Sequence, residues 1–169
     1  IISSNDFYHS HILEVKGIKI GIACINSSWR SSGKGGIEKG KIIIGKQTII
    51  DSYESISDAD IKVCLFHHPL DWLIEEDKSE IEKCINQFNI ILNGHIHESD
   101  TKSIVAYNGI SLFNTCGKFD NSKDIYNGYS IISINPYNKD CNVILRRYMD
   151  FPRNCFDAAT NVYKDGMYL

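Results

Sequence analysis

The six cysteines of this 169-residue sequence, at positions 24, 64, 84, 116, 141 and 155, show no paired spacing. That argues against a cysteine-based zinc site, and Cys64, in an expected core strand, and Cys84, on an expected buried helix face, read as small, buried hydrophobes in a reducing cytoplasm. No apolar run approaches the length of a membrane span, and the first residues lack a signal-peptide pattern. Net charge is also scarce: 18 basic against 21 acidic residues give −3, which argues against a general binder of nucleic acid or of a membrane surface. Internal repeats and low-complexity tracts are absent. The first residue is Ile1 rather than methionine, in keeping with a fragment. What remains is a chain that is 43% hydrophobic and 11% aromatic, enough to bury the core of one domain or a large part of one.

The richest stretch is 61–97. Two short apolar runs, 61–66 and 89–93, each end in histidines: His67-His68-Pro69 after the first, Gly94-His95-Ile96-His97 after the second. Such runs mark strands buried on both faces. Between them Ile81, Cys84, Ile85 and Phe88 recur at helical spacing, with Asp77 and Glu80 placed as an N-cap and its partner three residues on. Strand, helix and strand with short connections predict a parallel pair with a right-handed crossover. Both histidine groups then emerge at the carboxyl ends of adjacent strands, where α/β sheets place their ligand crevices.

The flanks are organised more locally. Residues 12–15 and 18–25 flank Lys16-Gly17 as a hairpin. A Gly/Ser/Lys loop at 31–36 lacks the phosphate-loop pattern and reads as a flexible surface connection. Ile49, Ile50, Tyr53 and Ile56 mark an amphipathic helix over roughly 45–57. Residues 103–107 and 110–113 bracket Asn108-Gly109, a type I′ hairpin signal, expected in a sheet distinct from the one carrying His67. Residues 129–134 and 142–148 bracket a longer hairpin loop at 135–140. Residues 114–128 lack periodicity. The domain reading is 1–149, with 150–169 as a tail or linker.

Neutral imidazole is the commonest metal ligand. His95 and His97, two apart, suit one metal chelated twice or two adjacent metals, and His67 offers a third imidazole from the neighbouring strand end. Three histidines can form a catalytic zinc site with water in the open position. A two-metal phosphate-cleaving site would also need carboxylates bridging cations about 3.5–4 Å apart. His68, next to His67 on extended backbone, is expected to point away and at most to line the site. Asp71, Trp72 and Glu98 carry no spacing that demands a ligand role. His9 and His11 form a His-x-His at a strand entry with no second cluster nearby, and Arg146 and Arg147 read as a solvated face.

Leu65-Phe66-His67-His68-Pro69-Leu70 and Leu92-Asn93-Gly94-His95-Ile96-His97 resemble the last two metal motifs of the calcineurin-like metallophosphoesterases. Asn26-Ser27-Ser28-Trp29, residues 40–47 and Asn127-Gly128-Tyr129 look like the bacterial phosphohydrolase branch of that family, over roughly 12–149. The resemblance implies a phosphoester hydrolase in which His67 and His95 bind one ion and His97 the other. Its cofactors would be two ions of Mn, Fe or Zn, which activate a hydroxide that attacks phosphorus in line. The family's earlier motifs, Asp-x-His, Gly-Asp and Gly-Asn-His-Asp/Glu, do not occur in this sequence. By resemblance, then, the chain is the C-terminal half of a four-layer αββα sandwich of α/β (α+β) class. It would need its N-terminal half or an oligomeric partner, and would be inactive in isolation. The substrate is a phosphate ester, with monoester, diester, nucleotide and nucleic acid all open. A non-enzymatic interaction scaffold of the same fold is the alternative. A histidine-triad hydrolase would need a histidine where Ser99 stands.

Overall fold

In a computed structural model of the chain, described over residues 3–33, 35–95, 100–106, 109–115, 127–138, 140–150 and 152–168, two short strands open the first sheet. These are β1 (Ser3–Ser4) and β2 (Tyr8–Val15), and β3 (Ile18–Ile25) folds back on β2 with Val15 opposite Ile18. Lys16 and Gly17 turn this hairpin with φ of 53° and 79°, the pair of positive values that matches the right-handed twist of the flanking strands. Next come α1 (Lys46–Glu54), β4 (Ile61–Leu65), α2 (Glu75–Glu82) and β5 (Ile90–Asn93). β3, β4 and β5 are parallel neighbours, as expected for β4 and β5 from the two apolar runs and the helix between them.

The fold is mixed, with more strand than helix. β6 (Asp100–Ala106) and β7 (Gly109–Thr115) bracket position 108 as expected, while residues 107 and 108 themselves lie outside the described residues. Their sheet differs from expectation. The order is β1-β2-β3-β4-β5-β7-β6, so β7 extends the sheet that carries His67 rather than joining another. The Ser111 hydroxyl donating to Phe88 O (2.7 Å) and Leu112 N–H donating to Asn89 O (2.9 Å) tie β7 to the entry of β5. The Asn-Gly signal specifies a local hairpin and is silent about which edge that hairpin will extend.

The described residues group into two compact units, 1–95 with 103–113, and 96–102 with 114–169. In the second unit β8 (Gly128–Asn135) pairs antiparallel with β9 (Asp140–Met149), and Asn135 stands opposite Asp140. The segment 150–169, expected to be a tail or linker, contributes β10 (Cys155–Ala158) and β11 (Met167–Tyr168), both antiparallel to β9. Val143, Leu145 and Ala159 are its buried centre. No helix among the described residues is long and apolar enough to cross a membrane.

In the first unit, α1 and α2 cover one face of the sheet. Tyr8, Ala23, Ile25, Cys64 and Ile91 from the strands meet Ile49, Ile56, Ile81, Cys84, Ile85 and Phe88 in a single cluster. Each fully buried Ile contributes about 1.5–3 kcal/mol relative to exposure. Burial pushes the Cys64 and Cys84 thiols above the usual range, as fits inert core residues. Gly21 lets the helical layer approach. A Cβ there would lie 2.7 Å from Ile56 Cβ and 2.8 Å from Ala59 Cβ, closer than carbon atoms tolerate. Gly21→Ala is therefore expected to destabilise the fold by about 1–3 kcal/mol through overpacking. Urea unfolding would check this, and an unchanged midpoint would mean that β3 and the 56–59 turn are not in close contact.

The capping box expected at Asp77 and Glu80 does not form. α2 starts three residues earlier, at Glu75 with Ile74 in the N-cap position. The Asp77 carboxylate instead accepts the N–H groups of Ile44 (2.7 Å) and Gly45 (3.1 Å), fixing the chain as it enters α1. Glu80 pairs with Lys46 (2.8 Å) and with Lys83, which together hold its carboxyl down at about 2.

The opposite face of the sheet is also apolar. By the register, Leu13, Ile20 and Ile61 lie in one row, Ile22, Val63 and Ile90 in the next, and Cys24, Leu65 and Leu92 in a third. Leu13 is 51% exposed and Leu65 41%, while most of their neighbours are half-buried. The runs read as doubly buried strands thus have one packed face and one partly open face.

Candidate metal centre

β4 and β5 stay coupled past their formal ends. Phe66 N–H donates to Leu92 O at 3.0 Å, and Gly94 N–H donates to His67 O at 3.1 Å. These bonds bring the two histidine loops together at the carboxyl ends of the parallel pair. His67 Nε2 lies 2.8 Å from His95 Nδ1, with the rings 4.8 Å apart and nearly perpendicular. One of the two nitrogens must carry the proton between them. The Trp72 ring stands edge-to-face on His95 at 3.9 Å and closes one side.

The sharp turn at the end of β5 falls one residue later than Gly94: His95 itself takes the left-handed conformation, with φ of 72°. Such backbone is uncommon for a non-glycine residue, although histidine is among the types that adopt it more readily. It costs of order 1–3 kcal/mol and concentrates at functional sites. Gly94 has a different role: a Cβ there would sit 3.7 Å from His67 Nδ1, so a longer side chain would crowd that imidazole.

His68 corrects the sequence reading. Rather than pointing away, it is 3% exposed, and its ring lies 4.7 Å from that of His95 and 4.9 Å from that of His67. Ring nitrogens of His67, His68 and His95 all fall within 4.8 Å of one another. The cause is Ser27, just beyond β3. Its Oγ accepts the backbone N–H of His67 (3.2 Å) and of His68 (3.1 Å), and lies 3.1 Å from His68 Nδ1. Two successive N–H groups converging on one oxygen are incompatible with the alternation of an extended strand. Burial, and next the neighbouring His67, hold the His68 imidazole below its ordinary pKa.

Ser31 and Ser32, in the 31–36 loop read as a flexible connection, are tied down by Glu38 just beyond it. That carboxylate accepts Ser31 Oγ (2.9 Å), Ser32 Oγ (2.8 Å) and the Ser32 N–H, which lower its pKa. Asp71 turns to solvent and pairs with Lys78 at 2.5 Å. His9 on β2 shares a hydrogen bond with Ser4 of β1 (2.6 Å), and Arg146 and Arg147 lie half-exposed on β9. His97 and Glu98 lie outside the described residues. The fold thus brings His67 and His95 together as expected and adds His68, for which a serine far upstream gave no local signal.

No family model matches the sequence, and no curated protein matches it. Solved structures do. GAP50, the anchor in the inner membrane complex of Plasmodium, superposes with a TM-score of 0.51 at 12% identity, over 83% of this chain and 50% of that one. A hypothetical protein from Thermus thermophilus gives 0.42 at 15% identity, over 65% of this chain and 40% of that one. The second likeness is too distant to carry an argument, and the first speaks for the fold alone. This chain spans about half the length of the GAP50 structure.

Proposed function

We propose that the chain belongs to a metal-dependent phosphoester hydrolase of the calcineurin-like type, with His67 and His95 as ligands of one ion and His97 serving a second. The observation that carries this reading is the 2.8 Å approach of two imidazole nitrogens at the carboxyl ends of adjacent parallel strands. Two imidazoles, with a third close by, suit Zn, Fe or Mn as a donor set for one ion. For two ions the described residues do not suffice, because the cluster includes no carboxylate. An ion bound at His67 and His95 would act as a Lewis acid and lower the pKa of a bound water. The protein's share is to hold the two ligand loops together through the Phe66 and Gly94 ladder bonds, and to shield one side with Trp72.

The open apolar face of the first sheet supports the four-layer αββα architecture, because a sheet whose two faces are both apolar calls for a layer on each. In that architecture the late hairpins of this chain form part of the second sheet, and the missing carboxylates belong to the N-terminal half of the domain. The alternative, a non-enzymatic scaffold of the same fold, draws on the likeness to a protein described as an anchor.

The test is hydrolysis of an aryl phosphate and an aryl phosphodiester with Mn(II) or Zn(II), by this chain and by the protein as it occurs in its source. The native protein is expected to show chelator-sensitive turnover that falls at least tenfold in His67→Ala and His95→Ala, and the isolated chain little or none. A native protein without metal-dependent turnover would favour the scaffold.

A further inference from the structure

Three parallel strands end at one edge of the first sheet, and each sends a loop past that edge. His67 follows β4 and His95 follows β5, while residues 26–32 follow β3. β2 runs the other way, so Phe7, just before it, stands at the same edge, where Asn26 N–H donates to Phe7 O at 2.8 Å. Ser27 Oγ accepts His67 N–H at 3.2 Å, which ties the 26–32 loop to the loop of the candidate ligand. Neighbouring strands lie about 4.8 Å apart, so a group carried beyond β3 is roughly 5–10 Å from one carried beyond β4.

That loop carries exposed rings. Trp29 and Phe7 are each 42% exposed and meet edge-to-face, with centroids 5.4 Å apart and planes at 86°. The Arg30 guanidinium lies 5.6 Å from the Trp29 ring centre. A single exposed aromatic residue is ordinary. Two in contact, with a cation beside them at the edge that carries the histidines, make a stacking place for a flat ring. In an edge-to-face pair, the ring that offers its edge keeps both faces free. The charge nearby suits a phosphorylated ligand. Arg30, Lys39 and Lys41 are exposed, and Glu38 beside them is buried and occupied by Ser31 and Ser32. Gly40 and Ile42 donate their N–H groups to Trp72 O (3.0 and 3.1 Å), so both lysines ride on a segment bonded to the residue that borders His95. The chain as a whole has a net charge of −3, so this positive edge is local and not a consequence of composition.

We propose that the phosphate ester taken by this site is a nucleotide, its base stacked on the Phe7–Trp29 ledge while its phosphoryl group reaches the ion at His67 and His95. Trp29 is the specificity-determining residue. Arg30, exposed and held only by the ring, is free to swing from Trp29 to a phosphate oxygen as the base arrives. A pentose separates base from phosphate in a nucleotide, and one to two strand spacings separate the ledge from His67. The phosphoryl end of this proposal rests on the metal reading above; the base end rests on the rings and charges of 7 and 29–41.

The test compares two inhibitors of the native protein, loaded with Mn(II) and turning over an aryl phosphate or phosphodiester. AMP and ribose 5-phosphate share the phosphoryl group and the pentose, and AMP adds the base. AMP is expected to inhibit about tenfold more strongly, the effect of one stacked base. Trp29→Ala is expected to bring the two within about threefold of each other, and Trp29→Phe to keep most of the preference. The ratio of the two inhibition constants is free of any change in how the aryl substrate itself binds. Equal inhibition in the wild type, or an undiminished preference in Trp29→Ala, would overturn the ledge and leave the metal reading standing. A native protein without metal-dependent turnover would overturn the hydrolase reading and the substrate role together. Equilibrium dialysis of the two compounds against the same samples tests the ledge without turnover, and equal retention of both would overturn it there as well.

Discussion

Zinc affinity is expected to fall by about 100-fold or more when His95 is replaced by asparagine, with the fold left close to wild-type stability. Losing even a hydrogen-bond partner behind a metal ligand costs ~10–100-fold, so losing one of two imidazoles that meet at a single point should reach the top of that range. Asparagine is chosen because of the backbone. His95 stands at φ 72°, a conformation that asparagine tolerates and that alanine resists. Alanine would mix ligand loss with backbone strain, whereas asparagine removes the imidazole and keeps the turn. His67→Ala should match it in affinity, since His67 is not among the positive-φ residues and supplies the other nitrogen of the 2.8 Å pair. His9→Ala, on β2 and paired with Ser4, serves as the control with no effect. Competition against a chromophoric chelator, with thermal unfolding of the same samples, reads both quantities. Equal zinc affinity in His95→Asn and wild type would show that zinc binds elsewhere.

The parts of this arrangement that can be read from sequence are those fixed by nearby residues. Two apolar runs joined by Ile81, Cys84, Ile85 and Phe88 at helical spacing suffice to foresee parallel β4 and β5, and all four helix-side residues are buried. Lys16-Gly17 carries its turn in its own backbone preferences. The misreadings share one cause, a partner distant in sequence. Asp77 has the chemistry of a cap and sits near a helix start, yet it serves Ile44 and Gly45, 33 and 32 residues earlier. His68 obeys strand alternation only if the strand continues, and Ser27, 41 residues away, bends it. The 103–113 hairpin is local, but the edge it joins is set by Asn89 and Phe88. β10 and β11, of four and two residues, are too short to show a period. Their pairing with β9 supplies what a pattern could not.

Phe88→Ala is expected to cost about 3–5 kcal/mol, the usual range for emptying a buried aromatic site. Phe88 is 1% exposed, and its ring meets Tyr53 of α1 edge-to-face at 5.2 Å, so one side chain links the two crossovers. Its carbonyl accepts the Ser111 hydroxyl, and the next residue, Asn89, donates its N–H to Lys62 O at 2.9 Å and accepts Lys62 N–H at 2.8 Å. Phe88 thus stands where the crossover turns into β5, the strand that delivers His95. Small domains have about 5–15 kcal/mol of stability in total, so the loss would remove a large share of it. Phe88→Leu retains most of the apolar volume and should cost clearly less. Urea unfolding of the three chains would rank them wild type, Leu, Ala. The zinc affinity of whatever fraction stays folded should be little changed, because the ligand loops are joined by their own ladder bonds. A cost below about 1 kcal/mol for Phe88→Ala, the level of an ordinary surface change, would mean that the aromatic pair does not hold α1 to the β4–β5 crossover.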